Sequence, residues 1–168
     1  MSGTRSAVRA VALGALLTLA PACGGPGAAR PRSAPISLSL PALDGGQLDL
    51  ATLRGRVVVL HVFTTWSVAA QLDVEQLALA DGAPEVVVVG IALDPDGRML
   101  VAPWRAAGEV RYLIVLADDA VRAGVGALGP LPEVPTTLVL DDEGRITARA
   151  PGQLRAGELA RMIASARR

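Results

Sequence analysis

Ser67 is the residue best placed to act as a nucleophile, because it follows the apolar run Val57–Phe63 and is predicted to begin a helix. A helix N-terminus stabilises an oxyanion through its free backbone N–H groups. A serine hydroxyl still needs an adjacent general base to become a strong nucleophile. The only histidine, His61, lies inside the apolar run, where we predict a structural role. Acid–base catalysis at Ser67 is therefore not favoured.

Thiol chemistry is limited by the cysteine count, since Cys23 is the only cysteine among 168 residues. One cysteine excludes an intramolecular disulfide, a dithiol redox pair and a cysteine-rich zinc site. Two acidic segments, Asp94–Gly97 and Asp141–Gly144, superficially suggest calcium loops. Neither has the remaining ligand spacing or the closing glutamate, so both are predicted to be turns. We predict no metal site and no cofactor.

The composition fits one domain with a substantial core, since 51% of the residues are hydrophobic. The 16 basic residues are all arginine, and they are scattered along the chain and matched by 16 acidic residues. A nucleic-acid-binding protein would concentrate its basic residues in a patch. With aromatic residues at only 2%, a base-stacking platform is also excluded, and we predict no nucleic-acid partner.

The first 23 residues have the pattern of a targeting segment, with a basic start, an apolar stretch at Val11–Ala20 and a junction at Ala20–Cys23. This junction resembles a bacterial lipobox, which predicts a signal peptide over 1–23 and lipidation of Cys23. Ordinary signal cleavage that leaves a free thiol is the alternative. Residues 24–33 are rich in Gly and Pro and predict a flexible linker. We therefore expect an exported, lipid-anchored protein on the periplasmic side of the envelope, in either membrane.

The elements that must position Ser67 follow from hydrophobic periodicity. An N-terminal β-hairpin is predicted from strands at 36–40 and 48–50, and the continuous apolar run 57–63 predicts a strand buried on both faces. Ser67 is the expected N-cap of a helix that ends near Ala80. In that helix, Asp73 and Glu75 are expected off the apolar stripe, whose members are Val68, Leu72, Gln76 and Leu79.

The rest of the chain continues this alternation of strands and helices. Strands are predicted at 85–93 and 112–116, helices at 99–107 and 119–123, a hairpin from 136–140 and 145–150, and a last helix at 155–166. This order predicts an α/β fold with a mixed central sheet and helices on both faces.

Three segments in this order resemble the TlpA/ResA branch of the thioredoxin superfamily, near the AhpC/TSA-like redoxins. Leu53–Leu60 is similar to the lead-in L-R-G-K-V-V-L-V, Phe63–Trp66 to F-W-A-T-W, and Val134–Ile146 to v-P-t-t-f-l-I-D-x-d-G-r-i. The resemblance runs from Ala34 onward. It implies a thioredoxin-like domain over 34–168.

The resemblance also implies which residues stand at the active site. The two cysteines of the family correspond to Ser67 and Ala70, so the site is degenerate and no catalytic residue is assigned. Pro135 corresponds to the cis-proline of the family. Asp73 falls where a glutamate often tunes the thiol pKa, and without a thiol we interpret it as an acid in the first helical turn, favoured by the helix dipole.

Two functions follow from this resemblance. The first is a redox-inactive module that binds an envelope protein or peptide in a candidate groove made of Trp66, Ser67, Val68, Val134 and Pro135, where exposed backbone at Val134 pairs with an extended peptide. The second is a thiol-disulfide oxidoreductase or antioxidant-type enzyme that uses the thiol of a partner. The sequence leaves the oligomeric state open.

Overall fold

A computed structural model describes residues 33–167 of the chain. The predicted signal peptide, Cys23 and nearly all of the predicted linker lie outside the described residues, so those predictions stand as predictions. The described elements are β1 (Ser39–Pro41), β2 (Gln47–Asp49), a 3₁₀ helix (Leu50–Leu53), β3 (Val57–Phe63), α1 (Val68–Asp81), β4 (Val86–Ala92), α2 (Gly97–Ala107), β5 (Leu113–Leu116), α3 (Asp119–Arg122), β6 (Thr136–Leu140), β7 (Ile146–Pro151) and α4 (Glu158–Ala166).

The central sheet has five strands in the order β5-β4-β3-β6-β7. Strands β3, β4 and β5 are parallel, whereas β6 runs antiparallel to β3 and β7 antiparallel to β6. All seven residues of the central strand β3 are buried, which explains why six of them are apolar and only His61 is polar. The predicted mixed α/β sheet is therefore confirmed.

Helical elements cover both faces of this sheet. The side chains of β3 alternate between two core clusters, one on each face. Val59 and Phe63 pack with residues of α1, α2 and α4, and Leu60 and Val62 pack with residues of the 3₁₀ helix and α3. No helix within residues 33–167 is long and apolar enough to cross a membrane.

The N-terminal hairpin of β1 and β2 is also confirmed, as a separate two-stranded sheet beside β5. Its turn is joined to the central sheet by a hydrogen bond from the Leu43 N–H to the Ile114 carbonyl, at 2.9 Å. Some predicted boundaries differ from the observed ones. The last helix begins at Glu158 rather than 155, because the Glu158 carboxylate accepts a hydrogen bond from the Arg155 N–H and Arg155 stays outside the helix.

Candidate functional site

Ser67 forms the junction between β3 and α1, and it is the N-cap that the sequence predicts. Its backbone is extended, and its Oγ accepts a hydrogen bond from the Ala70 N–H at 3.2 Å. The Ser67 N–H closes the preceding turn by donating to the Thr64 carbonyl at 3.1 Å. The hydroxyl oxygen thus satisfies a backbone donor of the first helical turn, which is a structural role.

A buried carboxylate fixes the turn before Ser67, and the sequence analysis missed it. Asp94, just beyond the end of β4, is fully buried. Its two oxygens each lie 3.2 Å from the Thr65 backbone N, and Oδ1 accepts from the Thr65 hydroxyl at 2.5 Å. Since β3 and β4 are parallel neighbours, their carboxyl ends meet at the same edge of the sheet. An aspartate at the end of the next parallel strand was the available signal.

The Val134–Pro135 peptide bond is cis, as the resemblance implied. Pro135 is buried and Val134 is half-buried. The loop is held on both sides, because the Thr136 hydroxyl donates to the Glu133 carbonyl at 2.5 Å and the Gly152 N–H donates to the Pro135 carbonyl at 2.8 Å.

The sheet register brings the two halves of the candidate groove to one edge. Val62 of β3 pairs with Thr136 of β6, so Pro135 comes one step beyond that pair, beside the end of β3. Trp66, Ser67 and Val68 leave the sheet from this same end. The Trp66 side chain is 63% exposed, which leaves its apolar surface open to solvent.

His61 has a structural environment and makes no hydrogen bond to Ser67. It is buried, its ring is stacked on Phe63, and its Nδ1 lies 3.0 Å from the Thr137 hydroxyl. Burial lowers the pKa of His61 to about 4, which keeps the imidazole neutral near pH 7. Within residues 33–167 its Nε2 has no hydrogen-bond partner, so it does not serve as a base for Ser67.

The interpretation of Asp73 as an acid in the first helical turn is wrong. Because α1 begins at Val68, Asp73 is in the second turn, and it is fully buried. It accepts hydrogen bonds from the Leu154 N–H at 3.2 Å and from the Gln76 side chain at 3.1 Å. Burial raises the pKa of Asp73 to about 6, against the opposing effect of these bonds.

The side of α1 that was predicted to be buried is largely exposed. Ala70, Asp73 and Leu77 point into the core, and Glu75 is exposed on the same side as the expected core residues. Those expected core residues are largely exposed: Val68 (68%), Leu72 (60%) and Leu79 (73%), with Gln76 half-buried. The helix is apolar on several sides, so its periodicity does not define which side packs.

These groups define what the site can do chemically. It has an ordered helix N-terminus, a cis-proline loop and an exposed tryptophan, but no thiol, because residues 33–167 contain no cysteine. Among those residues, no three His, Asp or Glu side chains are grouped so that they could hold a metal ion.

Comparison with known proteins finds relatives by structure only. No protein-family model and no curated protein matches the chain. A thiol:disulfide interchange protein of the thioredoxin family from Chlorobium tepidum superposes with a TM-score of 0.71 at 20% identity, over 83% of this chain and 99% of that one.

Two actinobacterial structures are similar to the same extent. A DsbF homologue from Corynebacterium diphtheriae has a TM-score of 0.69 at 22% identity, over 84% of this chain and 96% of that one. A secreted thiol-disulfide isomerase from Corynebacterium glutamicum has a TM-score of 0.66 at 21% identity, over 76% and 81% of the two chains. The predicted thioredoxin-like fold is therefore confirmed.

Proposed function

We propose that this protein is a thioredoxin-like binding module of the TlpA/ResA type, tethered in the cell envelope and without thiol-disulfide activity of its own. One observation carries the proposal. Residues 33–167 combine a capped helix N-terminus at Ser67 and a cis Val134–Pro135 bond with no cysteine, and the resemblance puts Ser67 and Ala70 at the positions of the two family cysteines. Thiol-disulfide exchange requires a thiolate as the attacking group, and neither side chain supplies one.

The candidate groove supplies the contacts that an extended peptide uses. Within residues 33–167, the backbone N–H of Val134 makes no hydrogen bond to another backbone group, so it is available to pair with an added strand. Trp66 offers exposed apolar surface at the same edge of the sheet, next to the N-terminus of α1. A peptide laid between them gains backbone pairing from Val134 and apolar contact from Trp66.

The envelope location rests on the sequence of the N-terminal segment. The lipobox-like junction at Ala20–Cys23 supports lipidation of Cys23, and residues 24–33 supply a tether. The similar isomerase from Corynebacterium glutamicum is described as secreted, which agrees with export. A diacylglycerol and an N-acyl chain together give stable anchoring, at about 0.8 kcal/mol per buried CH₂.

A second candidate function is an oxidoreductase that works with the thiol of a partner. It is favoured by Asp73, which stands where a thiol-tuning acid is expected and whose pKa is raised to about 6 by burial. An acid of that kind exchanges protons near neutral pH and could assist a thiolate brought in by the partner. Residues 33–167 contain no cysteine, so the redox-active thiol must come entirely from that partner.

Both proposed functions require that the chain has no thiol-disulfide activity of its own. Reduction of insulin by dithiothreitol tests this requirement. We expect the full-length chain, with Cys23→Ser to remove its only thiol, to add nothing to the rate in buffer. The variant that also carries Ser67→Cys and Ala70→Cys restores a dithiol at the helix N-terminus, where thiol pKa values fall, and should accelerate the reaction. Ser67→Ala is the matched inactive control. Catalysis by the parent chain would refute the loss of intrinsic activity.

The groove is tested separately, by crosslinking in intact envelopes and mass spectrometry of the captured partners. Val134→Pro removes the backbone donor that pairs with the peptide, so the partners captured through the groove should disappear. Val125→Gln changes an exposed residue in the loop after α3 and serves as the control. If the Val134→Pro profile matched that of the parent, the groove assignment would be wrong.

A further inference from the structure

We infer that the outer face of α1 docks an amphipathic helix of a partner protein, with a cationic side chain of that helix placed between its apolar ones. The docking face is the α1 stripe, defined as Val68, Leu72, Glu75 and Leu79. This inference rests on the proposed function, because Val68 belongs both to the stripe and to the candidate groove. It adds a second contact surface, which receives a helix of the partner whose extended segment binds in the groove.

The stripe is a concentrated apolar surface. At 100° per residue its four members lie within about 60° of arc on the helix. The described residues contain eight large hydrophobic side chains that are exposed, and three of them lie on the stripe with Trp66 directly before it. Clustered apolar exposure of this kind marks interaction sites, whereas scattered exposed residues need no explanation.

The spacing within the stripe favours a helix as the occupant. Its positions follow one another at four, three and four residues, which is the repeat of a coiled-coil seam. A helix with the same repeat packs its apolar side chains between those of α1 at a shallow crossing angle. An extended strand, with side chains alternating every second residue, does not match this repeat.

Glu75 determines the charge of the partner. It is the one acidic residue of α1 directed to solvent on this face, since Asp73 is buried and the Asp81 carboxylate accepts a hydrogen bond from the Val88 N–H at 2.8 Å. A docked helix covers Glu75 partly from water and therefore needs a lysine or arginine opposite it. Leu72 and Leu79, on either side of Glu75, then favour a helix that carries apolar side chains on both sides of that cation.

The same residue argues against the two other occupants of an apolar face. Glu75 is the eighth of the 14 residues of α1, so a second copy packed antiparallel about a two-fold axis would bring the two Glu75 carboxylates together. Insertion into a lipid surface would remove this carboxylate from water with no cation to pair it. A cationic amphipathic helix meets neither penalty.

A charge-swap selection tests the inference. Synthetic 18-residue peptides with leucines at heptad spacing and the remaining positions randomised are selected on the immobilised full-length chain. We expect the selected peptides to carry Lys or Arg between the leucines, and selection on Glu75→Lys to yield Asp or Glu at that position. Leu72→Gln should weaken the best peptide at least tenfold, whereas Val125→Gln should not change its affinity.

The remaining outcomes each overturn the inference. They are the absence of selected peptides, selected peptides that ignore the charge at position 75, self-association that Leu72→Gln abolishes in sedimentation velocity, and flotation with vesicles that Leu72→Gln abolishes. Leu79→Gln replaces Leu72→Gln if the latter does not melt cooperatively. Peptide binding that survives Val134→Pro but not Leu72→Gln would support the stripe even if the envelope crosslinking had refuted the groove. Peptide binding that survives Leu72→Gln but not Val134→Pro would refute the stripe and leave the groove standing.

Discussion

The Asp73→Asn variant should be more stable than the parent chain by an amount that depends on pH. Asp73 is fully buried, and burial raises its pKa from 3.8 to about 6. Above pH 6 the folded protein therefore holds a carboxylate that the structure disfavours. Asparagine presents the same shape without the charge, and its carbonyl still accepts the hydrogen bonds from the Leu154 N–H and the Gln76 side chain.

The magnitude follows from linkage between protonation and folding. Between pH 3.8 and about 6, the folded protein keeps a proton on Asp73 that the unfolded chain releases, so this group lowers the stability as the pH rises. At 1.36 kcal/mol per pH unit, the loss reaches about 3 kcal/mol above pH 6. The difference in unfolding free energy between Asp73→Asn and the parent should therefore increase by about this amount from pH 3.8 to pH 7.

His61 conceals this effect in the parent chain, because its dependence has the opposite sign. Burial lowers the pKa of His61 from 6.5 to about 4, so below pH 6.5 the unfolded chain takes up a proton that the folded one does not. That contribution makes the fold less stable as the pH falls towards 4. The two slopes oppose each other in the parent, and Asp73→Asn should expose the histidine slope alone.

Urea unfolding followed by circular dichroism at half-unit intervals from pH 4 to pH 8 measures both curves. Glu75→Gln is the matched control, since it removes an exposed carboxylate from the same helix and should shift the stability by less than about 0.5 kcal/mol at every pH. A difference between Asp73→Asn and the parent that stayed constant with pH would refute the reasoning, as would one that decreased as the pH rose.

Two further predictions concern the packing of α1 and the turn before it. Leu77→Ala should lower the unfolding free energy by about 2–5 kcal/mol because Leu77 is completely buried, whereas Leu79→Ala should change it by less than about 0.5 kcal/mol. Equal losses in urea unfolding would mean that α1 does not pack on the sheet through the side that carries Leu77. Asp94→Ala removes the acceptor for the N–H and the hydroxyl of Thr65, so it should lower the unfolding free energy by about 1–3 kcal/mol and speed amide hydrogen exchange at Thr65. Unchanged exchange at Thr65 would contradict the anchoring role of Asp94.

Local sequence signals predict the scaffold of the site. The six apolar residues of β3, interrupted only by His61, define a strand buried on both faces, which only the centre of a sheet provides. Ser67 caps α1 because a short hydroxyl side chain before a helical run satisfies a free backbone N–H. These features depend on residues that are close in the chain, so they can be derived before the fold is known.

The phase of α1 and the environments of its acids depend on residues far away in the chain. Asp73 is buried because Leu154, 81 positions later, offers its N–H to the carboxylate. Asp94 holds Thr65 across 29 positions. Leucine or valine lies on several sides of α1, so its own sequence does not decide which side is buried. Packing against the sheet does, and it buries the side that carries Ala70, Asp73 and Leu77.

The hydrogen bonds that shape the candidate groove are all made by groups other than sulfur. None of them involves a thiol: Ser67 caps the helix, Asp94 anchors the turn, and Gly152 fixes the loop at Pro135. Replacing Ser67 by cysteine exchanges an oxygen acceptor for a weaker sulfur one, at a cost below the roughly 0.5–2 kcal/mol of losing an N-cap altogether. Ala70 is buried, so a cysteine there must also find room for its sulfur. A cysteine at position 67 or 70 would therefore weaken a helix cap or crowd the core, and Ser67 and Ala70 avoid both effects.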